Sequence, residues 1–147
     1  MIRKLVISSV VSTLLLSSSL FADAKADAKA LVKQTVKHCK SVSKAECFKA
    51  IDSDKFSNGE LFIFAFDYKA VGVANGRIHK LVGKNLWNLK NPDGVYVFRE
   101  QIKTAKKSGG GWLQYKWKKP DGTPIVKLSY IQDVDGSFYV GSGLTVK

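Results

Sequence analysis

The chain has 147 residues, 24 basic and 12 acidic side chains, and a formal net charge of +12. This length suits one domain with a core large enough to fold alone. The basic balance is compatible with nucleic acid, anionic lipid or acidic ligands. The lysines are spread along the chain, however, and cluster only at Lys103–Lys107 and Lys116–Lys119. We therefore expect most of them to solvate exposed faces, and we expect no nucleic-acid partner.

The N-terminus has the pattern of a secretory signal peptide. A basic pair precedes an apolar, serine-rich run from Leu5 to Phe21, and the first acidic residue is Asp23. We expect cleavage to separate a signal peptide, residues 1–22, from a mature periplasmic domain, residues 23–147. An uncleaved membrane anchor is the alternative, because the run is about long enough to span a bilayer. Its many serines make it a poor permanent anchor.

The first part of the mature chain, Asp23 to Asp52, is rich in helix-forming residues and contains no Gly or Pro. Apolar and small residues recur there at helical spacing, at Leu31, Val32, Thr35, Val36 and Cys39. This pattern predicts a helix that packs one stripe against a core.

The two cysteines of the chain, Cys39 and Cys47, follow on this helix. In an oxidising compartment such a pair is more often bridged than free. On one continuous helix they would be about 12 Å apart, too far for a disulfide. A bridge therefore requires a turn at Lys40–Lys44, where Ser43 and Glu46 have the spacing of a capping box. We predict a helix, a turn and a second helix joined by this disulfide; a metal site is the alternative, but its ligand set is incomplete.

Two short strands are predicted next. Leu61–Phe66 is a continuous apolar run, too short for most helices, and predicts a buried strand. Ser57–Gly59 ahead of it has the composition of a turn. Asp67–Lys69 reverses the chain into a second strand, Ala70–Ala74, and the two strands form a hairpin.

A long crossover and a helix come before the last strands. Residues 75–93 contain three turn signals and no periodic pattern, and loops of this length are commonly functional. Val95–Lys107 has helical spacing, and the glycine run that begins after Ser108 ends it.

The last third of the chain predicts an antiparallel meander. Three strand-like runs are separated by Gly-containing turns: Trp112–Trp117, Ile125–Ile131 and Phe138–Val146. Pro120 and Gly122 in the first turn are typical of hairpins. The element order is helix, helix, hairpin, crossover, helix and three strands, which is an α+β fold.

These strands carry the main candidate binding residues. Lys127 and Ser129 share one face of their strand, opposite Val126 and Leu128. A lysine on a half-buried strand costs free energy unless it meets an anion. A carboxylate ligand or a structural aspartate would supply that anion, and a solvated strand face is the alternative.

Aromatic side chains on the preceding strand suit the wall of a pocket. Tyr115 and Trp117 share a face with Leu113, and each combines an apolar body with one hydrogen-bonding group. Core packing against a helix is the alternative for at least one of them. Trp112 is expected at the pocket margin, and Tyr130 as a hydrogen-bond donor or a core residue.

The chain contains five short motifs in a distinctive order and spacing: Gly83–Leu86, Asn91–Gly94, Gly111–Pro120, Val126–Tyr130 and Gly141–Gly143. Together they resemble the single Cache domain, an extracytoplasmic sensor module, over about residues 25–147. The resemblance implies a long N-terminal helix and a PAS-like antiparallel sheet of about five strands. It also implies a small-molecule pocket on one sheet face, under the crossover.

Such domains bind small carboxylates, amino acids and related metabolites, so the resemblance implies an anionic or zwitterionic ligand. Lys127 would pair with its carboxylate. Asn75 and His79 would close the pocket, although the family often has histidine at the position of Asn75. The expected ligand-binding residues are Phe64, Phe66, Asn75, His79, Trp112, Tyr115, Trp117, Lys127 and Tyr130.

Family members are usually tethered through a membrane helix to a methyl-accepting or kinase module. This chain resembles the stand-alone exported form, so signalling would need a membrane receptor or another envelope protein as partner. We expect a monomer or a weak dimer.

We expect no enzymatic activity, cofactor or metal. The two histidines lack a neighbouring nucleophile, and Gly141–Gly143 is not a G-x-S-x-G elbow. Asp133 and Asp135 lack the remaining ligands of a calcium loop. The alternative to a binding module is a non-enzymatic envelope interaction protein whose pocket is filled by its own side chains.

Overall fold

The computed structural model describes the backbone of residues 7–147 and the side chains from residue 18 onward. One long helix packs against a five-stranded antiparallel sheet, which confirms the predicted α+β fold. Helix α1 spans Ile7–Ser41 and helix α2 spans Lys44–Asp52. The residues of the stripe predicted on α1 are all buried: Leu31, Val32, Thr35, Val36 and Cys39.

The turn between α1 and α2 forms as the cysteine spacing predicts. Ser43 accepts from the backbone of Glu46, and the Glu46 carboxylate accepts from the backbone of Ser43, which completes a capping box. Because the helix axis breaks here, Cys39 and Cys47 reach each other and form a disulfide.

The predicted signal peptide, residues 1–22, lies partly in α1 and partly outside the described residues. Its cleavage therefore stays a prediction. Among residues 7–147, no helix has both the length and the apolar character needed to cross a membrane.

The first hairpin region differs from its prediction. Strand β1, Ser57–Asn58, pairs with β2, Leu61–Phe62, so part of the predicted turn is a short strand. Strand β3, Phe64–Asp67, pairs instead with β4, Gly72–Asn75. The single predicted strand Leu61–Phe66 is therefore wrong: its two halves pair with different neighbours and separate at the buried Ile63.

The crossover contains a 3₁₀ turn at His79–Leu81 and leads into helix α3, Val97–Ala105. This helix is two residues shorter at each end than predicted. At its start, the Asn91 side-chain oxygen accepts from the backbone of Val95 and holds that residue in a turn. At its end, the backbone of Lys106 donates to Ile102 and Thr104 and closes the last turn.

The three last strands form as predicted: β5 is Gly111–Lys118, β6 is Pro124–Asp133 and β7 is Phe138–Val146. The strand order is β4-β3-β7-β6-β5, with antiparallel neighbours throughout.

The sheet has two different faces, because successive side chains point to opposite sides of a strand. We call the side that packs against α1 the helix face; it carries Ala65, Leu128, Tyr130, Val140 and Leu144. We call the side under α3 and the crossover the cavity face; it carries Phe66, Trp117, Lys127, Ile131 and Tyr139.

Candidate functional site

A cavity of about 350 Å³ lies between the cavity face and the crossover. Strands β3, β6 and β7 form its back wall, β5 and the β5–β6 turn form one side, and α3 and the crossover cover it. Glu60 and Phe62, beside β3, complete the wall. The cavity is open space rather than a region filled by the protein's own side chains.

Six of the nine predicted binding residues line this cavity: Phe64, Phe66, Asn75, Tyr115, Trp117 and Lys127. They come from two hairpins that are distant in sequence, β3 with β4 and β5 with β6. The antiparallel register brings them together, since Lys127 pairs directly with Tyr115 on one side and with Thr145 on the other.

The other three predicted residues lie outside the cavity. Trp112 and Tyr130 are on the helix face, where their rings meet at 5.2 Å. The Tyr130 hydroxyl donates to the carbonyl of Gly109. His79 is exposed, with Nε2 3.0 Å from the carbonyl of Asp52. We therefore remove these three residues from the proposed binding site.

Lys127 is half-buried in the cavity wall, and its ammonium donates to the carbonyl of Gly143 at 3.3 Å. None of the ion pairs among the described side chains includes it. Burial lowers the pKa of Lys127, while the charge of Glu60 raises that pKa and the charge of Lys119 lowers it. Two of the three ammonium donors thus have no protein acceptor within residues 18–147.

Tyr115 sits beside Lys127, and its hydroxyl forms a 3.0 Å hydrogen bond with Ser129 Oγ. Burial raises the pKa of the Tyr115 phenol, so the ring is neutral over the physiological range. Gln101 of α3 is buried next to it and accepts from the Tyr139 hydroxyl at 3.0 Å. These hydrogen bonds fix the orientation of the polar groups at the cavity wall.

Asn75 is 2% exposed and holds the start of the crossover. Its side-chain oxygen accepts from the backbones of Arg77 and Ile78 at 3.0 and 2.7 Å. The side-chain nitrogen donates to no protein acceptor within residues 18–147. Asn75 therefore shapes the cavity through its oxygen and keeps both N–H donors of its amide for a ligand.

Charged residues surround the mouth. Glu60, Arg77, Lys118 and Lys119 are exposed there. Arg77 is already paired with Asp54, at 3.2 Å from Nε to Oδ2. The mouth thus has an excess of positive charge, which favours the entry of anions.

The sequence interpretation did not assign Phe98 or Gln101 to the site, yet both line the cavity. A signal was present, because Phe98, Gln101, Ile102 and Ala105 follow the spacing of one helix face. Gln101 is the polar residue on that otherwise apolar stripe. Leu81 was missed because nothing local shows where the crossover lies against the sheet, and Phe62 because Leu61–Phe66 reads as a single buried strand.

The Cache domain family model matches residues 18–144. The chain belongs to the Cache domain family. The resemblance drawn from the five motifs is thereby confirmed, and the single PAS-like sheet agrees with a single Cache domain. Cache domains are extracytoplasmic sensor modules, and the family is a non-enzymatic one.

Two curated relatives are similar over part of the chain. The sensor histidine kinase MctS of Rhizobium johnstonii is 39% identical over 85 residues, which are 56% of this chain and 18% of the kinase. The methyl-accepting chemotaxis protein McpP of Pseudomonas putida is 36% identical over 69 residues, 46% of this chain and 13% of that protein. The chain thus matches less than a fifth of the length of either relative.

Known structures have the same fold. A methyl-accepting chemotaxis protein from Vibrio parahaemolyticus superposes with a TM-score of 0.73 at 24% identity, over 88% of this chain and 93% of that one. A Cache chemosensory domain described for its carboxylic acid recognition has a TM-score of 0.69 at 23% identity, over 88% and 98% of the two chains.

Among the described residues, no group of three His, Cys, Asp or Glu is placed to hold a metal ion.

Proposed function

We propose that this Cache domain binds a small carboxylate in the cavity, with Lys127 as the cationic partner. The observation that carries the proposal is the ammonium of Lys127, which is half-buried in a largely apolar wall and has only the Gly143 carbonyl as acceptor among residues 18–147. A charge in such a place costs free energy unless an anion compensates for it.

Neighbouring groups complete a carboxylate site. The Tyr115 hydroxyl lies on the strand paired with Lys127, and Asn75, whose side-chain nitrogen donates to no protein acceptor within residues 18–147, lines the same cavity. One cation and two neutral donors can satisfy both oxygens of a carboxylate. Hydrogen bonds to a charged acceptor are about twice as strong as neutral ones.

The comparisons support the same proposal. A structural neighbour is described for carboxylic acid recognition, and the two curated relatives are a sensor histidine kinase and a chemotaxis receptor. We propose that ligand binding in this domain is likewise passed to a membrane receptor. We also propose that residues 1–22 are a cleaved signal peptide and that residues 23–147 act in the periplasm.

The test is isothermal titration and thermal melting with a panel of carboxylates and their uncharged amides. A ligand present at a hundredfold excess over its Kd stabilises the native state by about 2.7 kcal/mol. We expect carboxylates to raise the melting temperature and the matched amides to leave it unchanged.

Two lysine variants sharpen this test. Lys127→Met keeps the length of the side chain and removes its charge, and we expect carboxylate binding to weaken about tenfold to a hundredfold. Lys116→Met removes the same charge from an exposed position on β5 and should leave affinity unchanged. Equal affinity of the two variants would contradict the role of Lys127. A cooperative melt that no carboxylate shifts would favour an envelope interaction protein instead.

A further inference from the structure

We infer that the cavity is selective for aryl monocarboxylates, in which a short tether joins the carboxylate to an aromatic ring. This inference rests on the proposed carboxylate site, because Lys127 fixes one end of the ligand. It concerns the rest of the ligand, which is decided by the walls beyond Lys127.

Those walls contain a continuous belt of aromatic rings, which we call the aromatic belt: Phe64, Phe66, Phe98, Trp117 and Tyr115. Each ring contacts the next, with centroid separations of 6.0, 4.7, 5.7 and 6.4 Å in that order. The last two contacts are edge-to-face. A planar ring inside this belt would meet further ring faces and edges, the arrangement that aromatic pairs prefer.

The size of the cavity favours a ligand with a ring. A water molecule occupies about 30 Å³ of liquid, so 350 Å³ holds the equivalent of about a dozen waters. Acetate, with about four non-hydrogen atoms, would leave most of this volume to water against apolar walls. Phenylacetate, with about ten, would bury its ring against the aromatic belt and displace that water.

The charge pattern favours one carboxylate and no amino group. Among the lining residues, Glu60 is the acidic one, and it is exposed at the mouth. The basic lining residues, Arg77, Lys118, Lys119 and Lys127, outnumber it, so the cavity disfavours an amino group on the ligand. The residues of the aromatic belt carry no charge, so the end of the ligand that lies against the belt should be uncharged.

The test compares four probes by isothermal titration with the purified protein: phenylacetate, cyclohexylacetate, acetate and 2-phenylethanol. We expect phenylacetate to bind about three- to tenfold more tightly than cyclohexylacetate, which has a ring of similar size without π electrons. Acetate should bind at least about a hundredfold more weakly, because it buries no ring. The alcohol, which keeps the ring and lacks the charge, should also bind weakly.

The outcomes separate this inference from the proposed function. Tight binding of acetate with weak binding of phenylacetate would overturn the aryl selectivity and leave the carboxylate site intact. Equal binding of phenylacetate and cyclohexylacetate would also overturn it. Binding of 2-phenylethanol as tight as that of phenylacetate would keep the aromatic pocket and contradict the carboxylate site. Failure of all four probes to bind would overturn both.

A pair of tryptophan variants tests the aromatic belt directly. Trp117→Leu removes one ring of the belt, and we expect it to erase the preference for phenylacetate over cyclohexylacetate while both acids still bind. Trp87→Leu changes a 40% exposed tryptophan outside the cavity and should preserve the preference. An unchanged preference in Trp117→Leu, with a normal melt, would contradict the proposed role of the belt.

Discussion

The two faces of the sheet are formed by the same strands, but one face packs into a core and the other lines a cavity. On the helix face, aliphatic side chains pack against α1, and Trp112 and Tyr130 join that core. On the cavity face, aromatic rings surround open volume and share it with Lys127, Gln101 and Asn75. Lysines of α1 lie over the aromatic rings of the helix face, where Lys25 Nζ is 4.9 Å from the centroid of the Trp112 ring.

The difference shows how one strand can serve stability and binding at once. In β6, Leu128 and Tyr130 belong to the core under α1, while Lys127 and Ser129 face the cavity. Because neighbours in sequence point to opposite faces, a change at one position acts mainly on one property. Paired substitutions on the two faces therefore test this division.

The largest effect is expected on the helix side, from removing the disulfide. Replacing both Cys39 and Cys47 with alanine frees a loop of about eight residues, and the chain-entropy relation gives a loss of about 2.5 kcal/mol. The melting temperature should fall by about 10 °C. Carboxylate affinity, measured well below that temperature, should not change. A parallel loss of affinity would show that the two faces are coupled.

The next largest effect on stability is expected from Gly143→Ala, at a position that faces the cavity. A Cβ at this position would overlap Ser129 Oγ, so Gly143→Ala has to rotate Ser129 away from Tyr115. We expect a loss of about 2 kcal/mol in the free energy of unfolding, together with weaker carboxylate binding. Adding Ser129→Ala should recover part of the stability, since it removes the overlapping oxygen.

Ser142 is the matched control for Gly143, because it is the preceding residue of β7, is buried and points to the opposite face of the sheet. Its hydroxyl has no hydrogen-bond partner in the described part of the chain. Ser142→Ala should therefore leave stability equal or higher and leave binding unchanged. If Gly143→Ala binds ligand as well as the original protein, the Ser129–Tyr115 hydrogen bond has no part in the site.

A smaller effect on stability is expected from removing the hydroxyl of either of two buried tyrosines, Tyr139 or Tyr130. Tyr139→Phe leaves Gln101 Oε1 without its donor, and we expect a loss of about 1–2 kcal/mol with reduced ligand affinity. Tyr130→Phe removes a hydrogen bond to the Gly109 carbonyl, which Lys33 also donates to, so its cost should be below about 1 kcal/mol. Affinity should not change in Tyr130→Phe. Urea unfolding and titration of both variants measure this contrast.

Much of the fold could be predicted because its signals are local. The Cys39–Cys47 spacing required the turn between α1 and α2, and Gly122 and Gly136 marked the turns of the meander with positive φ in the structure. The division of Leu61–Phe66 could not be predicted. Both faces of that run are apolar, since one meets α1 and the other the cavity, so no alternation showed where the pairing changes.

The site was predictable only in part, for a related reason. Strand alternation correctly grouped Tyr115, Trp117 and Lys127, which share the cavity face. Applied in the same way, it would have excluded Trp112 and Tyr130, which differ from them by an odd number of positions on β5 and β6. His79 could not be excluded by strand alternation, because it lies in the crossover. The position of the crossover against the sheet depends on long-range contacts, such as the hydrogen bond from the Asn75 backbone to the Asp52 carboxylate.

The smallest effect is a pH dependence that only the cavity face should show. Burial lowers the pKa of Lys127 below that of an unfolded lysine, with Glu60 opposing and Lys119 reinforcing the shift. Between these two pKa values the ligand-free native state holds fewer protons than the unfolded state, so its stability rises with pH. A bound carboxylate favours the charged ammonium, and binding therefore takes up protons.

Carboxylate affinity should accordingly be constant near neutral pH and fall as the pH rises through the pKa of Lys127 in the free protein. The Tyr115 phenol does not contribute to this fall, because burial raises its pKa. Titrations from about pH 7 to the ordinary lysine pKa of 10.5, in buffers of different ionisation enthalpy, measure both the affinity and the proton uptake. Lys127→Met should abolish the pH dependence, whereas Lys116→Met should retain it. A pH dependence that persists in Lys127→Met would assign the titrating group to the rim rather than to the cavity wall.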